Sequence, residues 1–301
     1  MSDNAKTMVL ASFAGDSLSL GVHWIYDTRI IRDQFGRVDS FLKPAENSYH
    51  PTKNLGEFTH LGDQSFLLLE SLAAAKGFDL DDFSNRWRAL FKDYQGYIDQ
   101  ATKGTLEGYA AGRPILEAGS ESEELAGASR ISPLVYCYRN DLEGLVEASR
   151  LQAILTHNSQ NVVDASEFFG RVCWHVLAGA APVEAIEKVT ADNFNKPPFS
   201  DWVEAAIESR DKDSVQAIHE FGQHCGTEAA FPSVIHLVAR YENDLEEALI
   251  QSAIAGGDNA SRGLALGMIL GAHLGATALP DRWVSKLKQK DRILELLDQC
   301  Q

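Results

Sequence analysis

The stretch GLALGMILGAHLGATAL, residues 263–279, places glycine at 263, 267, 271 and 275. A four-residue repeat puts all four glycines on one helical face, where a second backbone can approach closely. The stretch carries no formal charge and is nearly long enough to cross a bilayer. It contains His273, however, and no second span accompanies it. A fully buried central helix packed backbone to backbone is therefore the expectation.

Helical spacing dominates the rest of the chain. Segments 66–75, 80–98, 142–155, 162–180, 233–241, 245–255 and 282–300 repeat apolar residues every three or four positions,. Sustained two-residue alternation is absent, so no sheet is expected. Loops are expected at 43–56, 119–124 and 195–201, where breakers cluster,. No shift in composition divides the chain. The fold class expected is all-α: a compact, orthogonal multi-helix bundle of ten or more helices, one domain over 1–301.

Of the 301 residues, 43 are acidic and 27 basic, a formal charge of -16. Bulk charge of that sign repels nucleic acid and anionic membranes, so neither is an expected partner. Cys137, Cys173, Cys225 and Cys300 lie far apart without a CxxC pair. Reduced thiols and a cytoplasmic location are expected. The start MSDNAKTMVLASFAG has no signal-peptide pattern,.

Gly-Asp occurs three times, at Asp16, Asp63 and Asp258, each time followed by an apolar stretch. One reading makes each aspartate a helix N-cap. The other brings such carboxylates together on a hard divalent cation, with Ser261 on the same face as Asp258. The dipeptide leaves both open.

The order of motifs resembles the ADP-ribosylglycohydrolase superfamily, which includes dinitrogenase-reductase-activating glycohydrolases, ADP-ribosyl-acceptor hydrolases and jellyfish J1 crystallins. FAGDSLSLGVHW is similar to the family's opening Gly-Asp segment, and FTHLGDQSFLLLESLA to its Thr-Asp-Asp-Thr helix start. ASRISPL resembles its Met-Arg-Ile-Ala-Pro-Leu stretch, LTH its Thr-His helix start, and the block 230–283 its Gly-Gly-Asp-Thr-Asp-Thr closing region. The resemblance implies an all-α fold and cleavage of ADP-ribose from an acceptor. It also implies magnesium held between the early and late acidic runs.

Read without gaps, the family's Thr-Asp-Asp-Thr falls on Gly62, Asp63, Gln64 and Ser65, and its closing run on Gly256 to Ser261. Ala260 then replaces a carboxylate, and the early family glutamate falls at His23. The ligand set implied is Asp63, Gln64, Asp258 and Ser261, for one magnesium ion rather than two, or none. Asp63 and Asp258 are also the implied catalytic residues. His23, Trp24, Arg130, His157, Asn259 and Arg262 are the implied substrate-binding residues, with Arg262 serving a phosphate or replacing a metal. Asp16 is expected as a helix-to-helix partner. His224–Cys225 is set aside as a nucleophile pair because adjacent helical residues diverge, and 121–124 reads as a solvated loop,.

Two functions remain open. One is a hydrolase removing ADP-ribose, or a related ribosyl group, from a protein or small-molecule acceptor. The other is a silent ADP-ribose or nucleotide binder, or a crystallin-like structural relative. No oligomeric state follows from the sequence.

Overall fold

The computed structural model describes residues 2–300. Seventeen α-helical segments run through them, and no strand forms among them beyond two isolated bridges. In order these are α1 (Ser2–Ser19), α2 (Thr28–Phe35), α3 (His60–Ala75), α4 (Leu80–Leu90), α5 (Gln100–Ala110) and α6 (Ala126–Ser129). Then follow α7 (Ser132–Cys137), α8 (Leu142–Ile154), α9 (Gln160–Leu177), α10 (Pro182–Asn193), α11 (Phe199–Glu208) and α12 (Ser214–Phe221). The last are α13 (Thr227–Arg240), α14 (Leu245–Ile254), α15 (Asn259–Leu274), α16 (Asp281–Val284) and α17 (Lys290–Gln299).

The glycine-striped segment is α15, buried at every position from Asn259 to Ala272. Its partner is α1. A β-carbon at Gly263 would lie 2.6 Å from the Gly15 carbonyl oxygen, and one at Gly267 only 2.2 Å from that of Ala11. The two backbones therefore touch, and Ser12 Oγ stitches them by donating to the Leu264 carbonyl at 2.9 Å. Among the described residues no helix is long and apolar enough to cross a membrane.

Two expected helices end early. The one read over 80–98 stops at Leu90. Tyr94 and Tyr97 then turn to make ring contacts, and Asp99 starts the next helix. The one read over 282–300 divides into α16 and α17, and between them Lys288 N donates to the Gly56 carbonyl at 2.9 Å. The capping reading of the Gly-Asp pairs also fails. Asp16 sits inside α1, and Asp63 is the fourth residue of a helix capped by Thr59. Asp258 occupies the N-cap position of α15 without making a cap bond.

Candidate functional site

A chain reversal builds the centre of the site. Trp24 N donates to the Gly257 carbonyl and Gly257 N to that of Ile25, both at 2.9 Å, pinning the end of the first helical run to the start of α15. Gly256 and Gly257 have φ of +69° and +61°, and a β-carbon at Gly257 would meet the Gln223 carbonyl oxygen at 2.1 Å. Only glycine suits that turn. The pairing leaves the Asp258 carboxylate, 2% exposed, beside His23: Nε2 lies 3.2 Å from Oδ1, and Ser261 Oγ donates to Oδ2 at 2.5 Å.

A second helix start joins it. The Asp16 carboxylate accepts from Thr59 N at 2.8 Å and Thr59 Oγ1 at 2.5 Å. Thr59 Oγ1 in turn accepts from Leu61 N, so Asp16 fixes the cap of α3 and with it the direction of His60. Burial pushes the Asp16 carboxyl up to about 7, against the Thr59 hydrogen bonds. His60 Nε2 stands 3.1 Å from Oδ2 of Asp99, which caps α5 through Thr102 N. From the loop before α3, His50 brings its Nε2 within 2.9 Å of His23 Nδ1.

Above these imidazoles lies a patch of larger rings. Trp24, in the left-handed region at φ +62°, packs its ring 4.2 Å from His23. It meets Tyr49 and Tyr97 edge-on, each at 4.9 Å. Tyr49 is 49% exposed and Tyr26, nearby in sequence, 48%, so the patch faces outward. At its side, the 123–125 strip is tied to 225–227: Leu125 N donates to the Cys225 carbonyl and Thr227 N to that of Glu123, both at 2.8 Å. This folds the Glu124 carboxylate inward, where it accepts from Cys225 Sγ at 3.3 Å.

The carboxyls hold protons unequally. Burial opposes the charge of Asp258, but donors from His23 and Ser261 and the nearby Arg262 hold it below the usual range. Burial likewise opposes the charge of Asp99, and His60 and Thr102 outweigh it. Glu124 is met by the weaker Cys225 thiol, whose bond does not offset its burial. Burial first, then the field of Asp99, pushes it up to about 7.

The expected residues separate into groups. His23, Trp24, Asp258 and Ser261 come together as described. Asp63 does not share partners with Asp258. It pairs with Lys53 and accepts from Tyr94 OH, lining a different cavity of about 450 Å³ with Phe58 and Lys288. Gln64 is spent internally: its Oε1 accepts from Trp87 Nε1 at 2.8 Å and Arg130 Nη1 at 2.5 Å. Arg130 is fully buried and also donates to Gln152 and Thr156. His157 bonds Thr156 at 2.8 Å beneath it. Asn259 Nδ2 serves the Ala253 carbonyl, and Arg262 Nη2 the carbonyls of Ser252 and Gly256. All four are interior framework: Arg130, His157, Asn259 and Arg262 are at most 1% exposed.

The magnesium set expected from the resemblance is therefore not assembled. Magnesium takes oxygen ligands in near-octahedral geometry. Asp258 and Ser261 stay together, but Asp63 bonds to Lys53 and Tyr94, and Gln64 to Trp87 and Arg130. The residues present do not fit that ion.

Sequence reasoning missed His50, His60, Tyr49, Tyr97, Asp99 and Glu124. His60 lay inside the quoted FTHLGDQ segment, three residues before Asp63. The preceding threonine is a cap signal that places His60, not Asp63, at the first helical position.

A family model for ADP-ribosylglycohydrolases matches residues 1–301. Crystallin J1A of Tripedalia cystophora is 25% identical over 99% of this chain and 96% of its own. ADP-ribosylarginine hydrolase Tri1 of Serratia proteamaculans is 22% identical, over 99% of this chain and 78% of its own. A solved structure of an ADP-ribosylglycohydrolase-related protein complex superposes with a TM-score of 0.77 at 25% identity, covering 99% of this chain and 97% of that one.

Proposed function

Because the chain belongs to the ADP-ribosylglycohydrolase family, we propose that it hydrolyses the bond between C1 of an ADP-ribosyl group and its acceptor at the site around Asp258. The observation supporting this most is the gathering of carboxyls with divided proton affinity beside an outward-facing aromatic patch. Glycoside hydrolysis needs one carboxyl that carries a proton and another group that accepts one. Glu124, pushed up to about 7, is the donor to the departing acceptor atom. The Asp258–His23 pair takes the proton of the attacking water as its oxygen bonds to C1,. Trp24, Tyr49 and Tyr97 offer flat faces and edges to an adenine or ribose,.

The 22% likeness to an ADP-ribosylarginine hydrolase makes arginine the first acceptor to test. The pure protein is incubated with ADP-ribosylated arginine, serine and a protein bearing both. Release of ADP-ribose that disappears in Asp258→Asn is expected. Binding of ADP-ribose with no release from any acceptor would instead assign a silent binder.

A further inference from the structure

The imidazoles beneath Trp24 are a chemistry of their own. His23, His50 and His60 are all buried, and one ring nitrogen of each lies within 4.8 Å of the others. Among the described residues they are the one group of three or more His, Cys, Asp or Glu side chains so placed. Two imidazoles have an outer nitrogen fixed by a carboxylate: His23 Nε2 faces Asp258 at 3.2 Å, and His60 Nε2 faces Asp99 at 3.1 Å. That assigns the proton to each outer nitrogen and leaves His23 Nδ1 and His60 Nδ1 as lone-pair donors. His60 Nδ1 is buried with no hydrogen-bond partner. An orphaned buried nitrogen costs free energy unless something else meets the group.

We propose that His23, His50 and His60 bind one borderline divalent transition cation of the zinc type, with Asp258 and Asp99 orienting two of the rings. Three neutral imidazoles with an open fourth position suit such an ion, whereas magnesium prefers oxygen. Carboxylates bonded to the outer nitrogen of ligating histidines raise their basicity and fix their tautomer. The 2.9 Å separation of His23 Nδ1 and His50 Nε2 is below the roughly 3.3 Å between nitrogens on a tetrahedral zinc ion, so binding requires the two rings to part slightly and His50 to carry its proton on Nδ1, leaving Nε2 as the lone-pair donor,. Two ionised carboxylates next to the rings balance the charge of a dication. The metal site does not depend on the reaction proposed above.

Wild-type protein stripped of metal is equilibrated with Zn2+, crystallised, and anomalous density measured at the zinc edge. One peak within bonding reach of all three imidazoles is expected. No peak, or a peak at Asp63 or at surface carboxylates alone, overturns the proposal. In solution, one equivalent of Co2+ should give visible bands of a nitrogen-ligated ion. Asp99→Asn should weaken its binding by about 10–100-fold and Asp63→Asn leave it unchanged. Equal affinity in wild type and Asp99→Asn, or a loss in Asp63→Asn, overturns it as well.

Discussion

At the scale of single residues, Glu124 carries the most specific expectation. Its carboxyl sits near 7 because burial and Asp99 disfavour the charge. As the proton donor it works only when protonated, so kcat is expected to fall as pH rises through about 7. Glu124→Gln should lower kcat by about 10²–10⁴-fold and remove that alkaline limb, with ADP-ribose affinity retained. A Gln variant with the wild-type profile would take Glu124 out of the reaction. Glu124 was invisible in the sequence because ESEE reads as a solvated run. Its burial depends on pairing with Cys225, 101 positions away, which no local pattern encodes. Asp63 was misplaced for a related reason. Its Gly-Asp dipeptide matched the family motif, yet Gly62 is there because the Asp16 carboxylate leaves room for nothing larger: a β-carbon would lie 2.4 Å from Oδ2.

At the scale of elements, the legible part was the glycine stripe. Spacing alone indicated a backbone-to-backbone contact, and α1 supplies it along Ala11 and Gly15. Gly267→Ala would push a methyl to 2.2 Å from the Ala11 carbonyl oxygen and force the two helices apart. A loss of about 1–3 kcal/mol is expected, read as a lower urea midpoint. Gly170→Ala in α9 serves as the contrast. Its nearest neighbour is the Ser149 hydroxyl at 3.3 Å, a side chain able to turn, and alanine gains helix propensity,. Equal losses at the two sites would contradict the close approach. The helix starts were less legible. Thr59, Asp79, Asp99, Asp141, Asp213 and Asp244 all cap through their side chains, but the Gly-Asp aspartates that stood out in the sequence do not.

At the scale of the whole molecule, α1 and α15 form a buried axis, and the ends of elements far apart in sequence meet at one end of it. The all-α class followed from periodicity, since a 3.6-residue repeat depends only on neighbours in the chain. The site did not, because it joins residues near 23, 50, 60, 99, 124 and 258 through backbone reversals and caps. The proposed hydrolysis requires ADP-ribose to bind where these segments converge, at Trp24 and beside Glu124 and Asp258. A crystal structure of the protein with ADP-ribose bound tests it most directly. The ligand is expected against Trp24, Tyr49 and Tyr97, with its ribose within hydrogen-bond reach of Glu124. Density for the ligand in the cavity of Lys53, Asp63 and Tyr94, with the Trp24 patch bare, would contradict it.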